Sequence, residues 1–224
     1  MICKWLIAVV AAAGMLGAAQ SDVAKRLQAA ADVTGEMMGA PDSGIPQTLL
    51  GKAQCVVIVP GMKKGAFIFG GKYGKGFAAC RQSSGVGWTA PAAVRVEGGS
   101  FGFQAGGSAT DVVMLVMNKG GMDRLLTSKF TLGADASVAA GPVGRSSSAQ
   151  TDAMMTAQIL TWSRSRGVFA GLALDGATLR EDSGDDRAIY GHAVTNREIL
   201  TGGVAPPAGA SAFLAALNKY SSRK

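Results

Sequence analysis

Short apolar runs separated by glycine-rich segments make up most of the middle of the chain. The strongest run, residues 111–118 (DVVMLVMN), predicts an interior strand, and residues 55–60 (CVVIVP) predict a second buried strand. The glycine-rich segments predict tight connections, with residues 61–65 (GMKKG) as a basic turn and residues 70–76 (GGKYGKG) as a glycine-rich link. Gly98 and Gly99 predict another turn, and further strands are predicted at residues 66–69, 77–81, 94–97, 101–105, 130–132, 137–140, 159–163 and 168–180.

Helical spacing of apolar positions predicts a helix that is capped by Ser21 and ends near Met38. Its apolar face carries Val23, Leu27, Ala30, Ala31, Thr34 and Met37. This helix packs on the sheet or, because Lys25 and Arg26 lie near its start, lies on a membrane as a basic amphipathic helix. Shorter helices are predicted at residues 46–50, 121–128 and 185–190, and a C-terminal helix at residues 211–220.

The arrangement of these elements predicts the fold class. Short, closely spaced strands joined by turns favour antiparallel pairing, and the helices lie mainly at the two ends of the chain. We therefore expect an α+β fold, with a curved, glycine-rich antiparallel sheet or partial barrel and helices at the N- and C-terminal ends.

The N-terminus has the pattern of a secretory signal peptide. Lys4 is followed by an apolar run over residues 6–19, which is too short to span a bilayer, and Gly17-Ala18-Ala19 offers small residues for cleavage. We expect residues 1–19 to be a signal peptide, residues 20–192 the main domain, and residues 193–224 a linker and C-terminal helix. The protein is accordingly predicted to be periplasmic or secreted.

Charge and cysteine content add two expectations. Without Lys4 the chain has 21 basic and 15 acidic residues, a net charge of +6 that suits an anionic surface but also serves ordinary solubility. Cys55 and Cys80 form an even pair, which in an oxidising compartment indicates a disulfide. Free thiols or metal ligands are weaker alternatives, because His192 is the only histidine and structural zinc needs four ligands. No metal or cofactor is predicted.

Catalytic and ligand-binding motifs match poorly. Residues 98–102 (GGSFG) fit the pattern of a nucleophile elbow at Ser100, with His192 and Asp175 or Asp182 as partners, but a helix should follow and a strand-like segment does. The segment 70–76 lacks the spacing of a phosphate loop, although its glycines beside Lys72 and Lys75 could hold an anion. Asp182, Asp185 and Asp186 are interpreted as a solvated turn or helix cap, with a casual cation site as the alternative. No basic run with interleaved aromatics is present, so nucleic acid is not an expected partner.

Several phrases in sequence resemble the SYLF domain, the lipid-binding domain also called the Las-binding-protein or actin-regulator domain, in its secreted bacterial form. They are VVIVPGMKKGAFIFGGKYGKG, TAPAAVRVEGGSFGFQAGGSATDVVMLVMN, KFTLGADASVAAGPVGR and SRSRGVFAGLALDGATLR, and they cover roughly residues 27–190. The resemblance implies phospholipid binding without known catalysis. Actin binding, which some eukaryotic members show, is not expected of a secreted protein.

The leading hypothesis is thus non-enzymatic binding of anionic phospholipid at a membrane surface. The residues expected to contact head groups are Lys63, Lys64, Lys72 and Lys75, with Arg145, Arg164 and Arg166 as a second cluster. Two alternatives stay open: a structural or protein-interaction domain of the cell envelope without a lipid ligand, and a serine hydrolase that uses Ser100.

Overall fold

The structure, a computed structural model, describes residues 2–40, 44–66, 69–101, 108–142, 156–165, 168–171 and 174–221. For residues 2–19, 64–66, 69–70, 100–101, 108 and 168–171 it describes the backbone alone. The helices are α1 (Ile2–Gly39), α2 (Gln47–Lys52), α3 (Lys119–Leu125), α4 (Ser183–Tyr190), α5 (Asn196–Leu200) and α6 (Ser211–Tyr220). Among the described residues, no helix is both long enough and apolar enough to cross a membrane.

The described strands form one sheet. They are β1 (Cys55–Ala66), β2 (Phe69–Cys80), β3 (Ala92–Phe101), β4 (Ser108–Val116), β5 (Lys129–Thr131), β6 (Val138–Ala140), β7 (Ile159–Ser165), β8 (Val168–Gly171) and β9 (Thr178–Glu181). Their order is β5-β9-β3-β2-β1-β4-β7-β6, and β8 pairs with β7 beside this path. The pairs are antiparallel as predicted, except that β6 runs parallel to β7.

Chain connectivity forces this sheet to curl. Strands β5 and β6 stand at opposite ends of the strand order, yet only residues 132–137 join them. Seven steps along the chain span at most about 25 Å. The outer strands of a flat eight-stranded sheet would lie about 34 Å apart at the usual strand spacing. The sheet is therefore a half-barrel, and with helices at both ends of the chain the predicted α+β fold class is confirmed.

A hydrophobic core lies on each face of the sheet. The concave core joins side chains from β5 and β9, such as Phe130 and Leu179, to those of β1 and β4, such as Val57 and Met114. Leu125 of α3 and Ile199 of α5 also belong to it. The convex core lies between the middle strands and helices α1 and α6, and its members include Val56, Phe77, Trp162, Phe213 and Leu217.

Helix α1 supplies the predicted apolar face but not the predicted start. Val23, Leu27, Ala30, Ala31, Thr34 and Met37 are all buried on the convex side of the sheet, which confirms the helical spacing read from the sequence. The expectation that Ser21 caps this helix is wrong, because the helix runs without interruption from Ile2 to Gly39. Local sequence around Ser21 resembles a cap, but the apolar and alanine-rich residues before it are good helix formers.

Two predicted connections are strand instead. Residues 61–65 lie inside β1 and residues 70–76 inside β2, so the lysines of both segments sit on paired strands rather than on turns. The irregularity at Gly61 is a β-bulge: its φ is +56°, and its amide donates a hydrogen bond to Asp111 Oδ1 at 2.9 Å. The turn expected at Gly98-Gly99 is also wrong, because β3 continues through both residues to Phe101.

The predicted disulfide is present. Cys55 and Cys80 stand directly opposite each other on β1 and β2, and their sulfurs are bonded. Both residues are fully buried in the concave core. The bond therefore fastens the start of β1 to the end of β2 in the middle of the sheet.

Candidate functional site

The two ends of the sheet differ in what they carry. At the first, which we call the disulfide end, β1 begins at Cys55, and helices α2 and α3 adjoin β1 and β4 in the chain. At the second, which we call the lysine end, β1 ends, β2 begins, β3 ends at Phe101 and β4 begins at Ser108. Register confirms this, since Phe69 is paired with Phe101 and Lys64 with Ser108.

The backbones of three predicted site residues lie near the lysine end. Lys63 on β1 is opposite Tyr73 on β2, and Lys64 is opposite Lys72. Neighbouring strands lie about 5 Å apart, so the three lysine backbones are close together. Lys63 is exposed, Lys72 is half-buried, and Tyr73 keeps 47% of its surface exposed. We call Lys63, Lys64 and Lys72 the lysine cluster.

Two members of the lysine cluster, Lys63 and Lys72, have no acidic partner among the described side chains. The sequence contains no Asp or Glu from residue 55 to residue 96. None of the described carboxylates forms an ion pair with Lys63 or Lys72. Like charges on neighbouring strands that lack a counter-charge among the described residues create a positive potential, which attracts anions.

Lys75, the fourth lysine predicted for the site, is engaged differently. It lies on the convex face of β2, where its Nζ is 2.8 Å from Asp182 Oδ2 and 3.0 Å from Asp185 Oδ1. Asp185 also pairs with Arg26 of α1. Burial disfavours the charged forms, but the hydrogen bonds and charges of the pair outweigh it, so the pKa of Lys75 is raised and that of Asp182 is lowered. Lys75 thus fastens β2 to α4.

The second predicted cluster is only partly described. Arg164 on β7 pairs with Asp111 of β4 at 2.8 Å and with Glu36 of α1. Its charge is therefore shared between two carboxylates, and the pair with Glu36 holds α1 on the sheet. Arg145 and Arg166 lie outside the described residues. The flanks of Arg166 are described, and Ser165 is paired with Val168 at the lysine end of the sheet.

The acidic segment at α4 is more buried than the sequence indicates. Asp182 caps the helix, accepting from the Asp185 amide at 3.3 Å, as one reading of this segment predicted. The interpretation as a solvated turn is wrong for Asp186, which is 1% exposed and accepts from the Ala93 amide at 2.7 Å. Burial raises the pKa of Asp186 to about 7.

The geometry of a nucleophile elbow is not found at Ser100. This residue lies in β3 and is paired with Gly70, whereas the elbow requires a sharp turn from strand to helix. His192 is exposed beyond the end of α4, where its Nδ1 lies 2.9 Å from Tyr190 O. Within the described residues, no group of three or more His, Cys, Asp or Glu side chains could hold a metal ion.

Fold and site together define a class: an α+β domain whose curled sheet carries a basic cluster at one end. The sequence profile described as "Ysc84: Las17-binding protein actin regulator" matches residues 97–220, which is more than half of the chain. The chain belongs to this family, the SYLF domain family, as the sequence phrases predicted.

Curated relatives agree with this assignment. The chain is 35% identical over 177 residues to the SH3 domain-containing protein PJ696.02 of Schizosaccharomyces pombe, covering 78% of this chain and 41% of that protein. It is 33% identical over 184 residues to Protein YSC84 of Saccharomyces cerevisiae, covering 80% and 38%. It is 30% identical over 184 residues to the SH3 domain-containing YSC84-like protein 1 of Rattus norvegicus, covering 82% and 54%. The chain thus spans about half or less of these relatives.

Proposed function

We propose that this protein binds anionic phospholipid at a membrane surface, without catalysis, through the lysine cluster at the lysine end of its sheet. The observation that carries the proposal is that Lys63 and Lys72, which lie on paired strands at the lysine end and on opposite faces of the sheet, have no carboxylate partner among the described residues. The family resemblance, which implies phospholipid binding, points the same way.

Tyr73 fits this proposal. The residue is 47% exposed on the convex face, and its backbone is directly opposite Lys63 on the neighbouring strand. An amphipathic ring beside a cationic side chain suits the boundary between lipid head groups and acyl chains. Lys75 and Arg164 are assigned a different role within the proposal. Their carboxylate partners keep α1 and α4 on the sheet, so they support the surface rather than contact lipid.

Neutralising the exposed lysines should weaken binding to anionic vesicles. Each Lys near an anionic surface contributes about 1 kcal/mol, so K63Q/K72Q should lower the partition coefficient about 30-fold. Flotation with phosphatidylcholine/phosphatidylglycerol vesicles measures it. The matched control K52Q/K119Q removes the same charge from exposed lysines at the disulfide end and should retain binding. Equal recovery of K63Q/K72Q and wild type, or equal recovery on neutral and anionic vesicles, would contradict the proposal.

A protein-interaction function is the second candidate, because the family description names Las17 binding and an actin regulator. The flotation experiment separates the two candidates. A chain that ignores anionic vesicles but is crosslinked to envelope proteins in intact cells would favour the second. Actin is not proposed as a partner, since we propose a periplasmic or secreted location.

The proposed location makes a separate prediction. Cleavage after the small residues Gly17-Ala18-Ala19 should give a mature protein that begins at Gln20. N-terminal sequencing or intact mass of the protein recovered from periplasm or medium measures this. A protein that keeps residues 1–19 and stays with the cytoplasmic fraction would contradict the location, while leaving lipid binding to be decided by flotation.

A further inference from the structure

Two planar side chains from different helices bind the two backbone hydrogen-bonding groups of one residue, Ala93 of β3. The Ala93 amide donates to Asp186 Oδ1 of α4 at 2.7 Å, and Asn196 Nδ2 of α5 donates to Ala93 O at 3.3 Å. The backbone N and O atoms of one extended residue are only about 3 Å apart. The carboxyl group of Asp186 and the carboxamide group of Asn196 are therefore held next to each other.

Each of these two side chains keeps one oxygen atom without a hydrogen bond. Asp186 is 1% exposed and Asn196 is 2% exposed, and neither Asp186 Oδ2 nor Asn196 Oδ1 has a hydrogen-bond partner among the described residues. Both atoms are acceptors, and neither can donate while the carboxyl group is ionised. Two buried acceptors without a donor cost free energy, and a single proton on the carboxyl group would satisfy both of them.

The cations near Asp186 do not supply the missing donor. Lys75 of β2 pairs with Asp182 and Asp185, and Arg26 of α1 pairs with Asp185. Among the described residues, no basic side chain forms an ion pair with Asp186. The carboxyl group is thus buried beside other acids, without a counter-charge of its own.

The electrostatic surroundings favour the protonated form of Asp186. Burial is the largest cause, and the charges of Asp182, Glu181 and Asp185 add to it, so the pKa of Asp186 is raised to about 7. The Tyr190 hydroxyl, whose pKa is raised by burial and by the charge of Asp186, stays protonated and donates to Pro91 O at 2.8 Å. The other charged residues on the neighbouring elements are paired elsewhere or exposed: Arg95 and Glu97 on β3, Arg180 on β9, Arg187 on α4, and Arg197 and Glu198 on α5.

We infer that protonated Asp186 donates a hydrogen bond from Oδ2 to Asn196 Oδ1, which closes a ring of three hydrogen bonds with Ala93 and locks α4 and α5 onto β3. The ring runs from the Ala93 amide to Asp186, from Asp186 to Asn196, and from Asn196 back to Ala93 O. Loss of the proton leaves two acceptors beside each other. The lock is therefore closed below about pH 7 and opens as the pH rises through this value. The inference is independent of the proposed lipid binding.

Replacing Asn196 with Ala removes the acceptor of the proposed hydrogen bond. A hydrogen bond made only by the protonated carboxyl group raises its pKa, so N196A should lower the titration midpoint of Asp186 by about one pH unit. The carboxyl carbon resonance of Asp186 in the full chain, followed by NMR, measures this midpoint. Linkage then requires N196A to raise the equilibrium constant of unfolding about tenfold more at pH 5 than at pH 9. Urea unfolding at the two pH values measures that difference.

The matched control is N118A, which makes the same substitution on another helix. Asn118 also uses its carboxamide on the backbone, accepting from the Gly121 amide at 2.9 Å, so N118A should have the same effect at pH 5 and pH 9. In a D186N background, where an amide can donate to Asn196 at every pH, the effect of N196A should not vary with pH either. An N196A effect on the wild-type chain that is equal at both pH values, or a wild-type Asp186 that titrates below pH 5, would overturn the inference.

Hydrogen exchange tests the lock itself and does not require N196A to fold. At pH 8 the amides of α4 and α5, such as that of Ile199, should exchange at least about tenfold faster in wild type than in D186N, because only the variant keeps a donor to Asn196. At pH 5 the two proteins should exchange these amides equally. Equal exchange of the α4 and α5 amides at pH 8 would refute the lock, whatever the amides of β1 and β2 show.

Discussion

Replacing Asp186 with Asn should remove a loss of stability that the wild-type protein suffers between about pH 4 and pH 7. Asp186 is 1% exposed, and burial raises its pKa from 3.8 to about 7. Below pH 4 the carboxyl is protonated in both the folded and the unfolded chain. As the pH rises, the unfolded chain ionises first, so the free energy of unfolding falls by about 1.4 kcal/mol per pH unit. The total loss is about 4 kcal/mol by pH 7, and no further loss follows above it.

D186N has no such ionisation, so its advantage over wild type should grow by up to about 4 kcal/mol between pH 4 and pH 8. Asn can still accept the hydrogen bond from the Ala93 amide through its side-chain oxygen. Urea unfolding at several pH values measures the difference. D123N, which changes an exposed carboxylate on α3, is the control and should track wild type. A difference between D186N and wild type that does not vary with pH would show that Asp186 is ionised in the folded state without cost.

The hydrogen bond that Asp186 makes to β3 explains why a buried carboxylate is found here despite its cost in the free energy of unfolding. Its carboxyl group accepts from Ala93 on β3, just before the point where the pairing of β3 with β9 begins at Val94. The side chain therefore supplies the hydrogen bond that a strand partner would otherwise make. Glu181, Asp182 and Asp185 lie close enough for their charges to raise its pKa further. The buried carboxylate that fastens α4 to the end of the β3–β9 pairing thus lowers the free energy of unfolding at neutral pH.

Patterns that depend on one element alone could be predicted from the sequence. The apolar face of α1 follows from helical periodicity, and every residue of that face is buried as expected. The C-terminal helix was predicted at Ser211–Tyr220 and is found there. The pairing of Cys55 with Cys80 followed from their number rather than from their geometry.

Features that depend on contacts between distant segments could not be predicted. The partners of Lys75 lie more than 100 residues along the chain, and no local pattern announces them. The lysine cluster is an intermediate case: its residues were identified, but their place on paired strands required the sheet.

Two glycine-rich segments that were predicted as turns are strands, and the reason is physical. Segments 61–65 and 70–76 were predicted as turns because glycine usually marks a turn. In the structure, however, two of these glycines, Gly74 and Gly76, are required by the close approach of β1 to β2. A Cβ on Gly76 would lie 2.0 Å from Ile58 O, and one on Gly74 would lie 2.6 Å from Val59 Cγ1. The bulge near Gly61 brings β1 into that position.

The second large effect follows from this contact. G76A should destabilise the protein by more than about 3 kcal/mol, at the upper end of what overpacking costs, because the clash is with backbone atoms of a central strand and no side-chain rotation relieves it. Denaturant unfolding, followed by the fluorescence of the buried Trp88 and Trp162, measures the free energy of unfolding.

G71A is the matched control on the same strand. Gly71 is exposed, and a Cβ there would have nothing within 4 Å, so alanine should leave stability unchanged or raise it by about 0.5 kcal/mol through the lower entropy of the unfolded chain. Because both substitutions add one methyl group to β2, the difference between them isolates the contact with Ile58 from any general effect of glycine on strand formation. Similar losses in G76A and G71A would show that backbone freedom, rather than close approach of β1, keeps glycine at residue 76. A large loss confined to G76A would establish that the glycine-rich segment is part of the packed sheet that holds the lysine cluster in register.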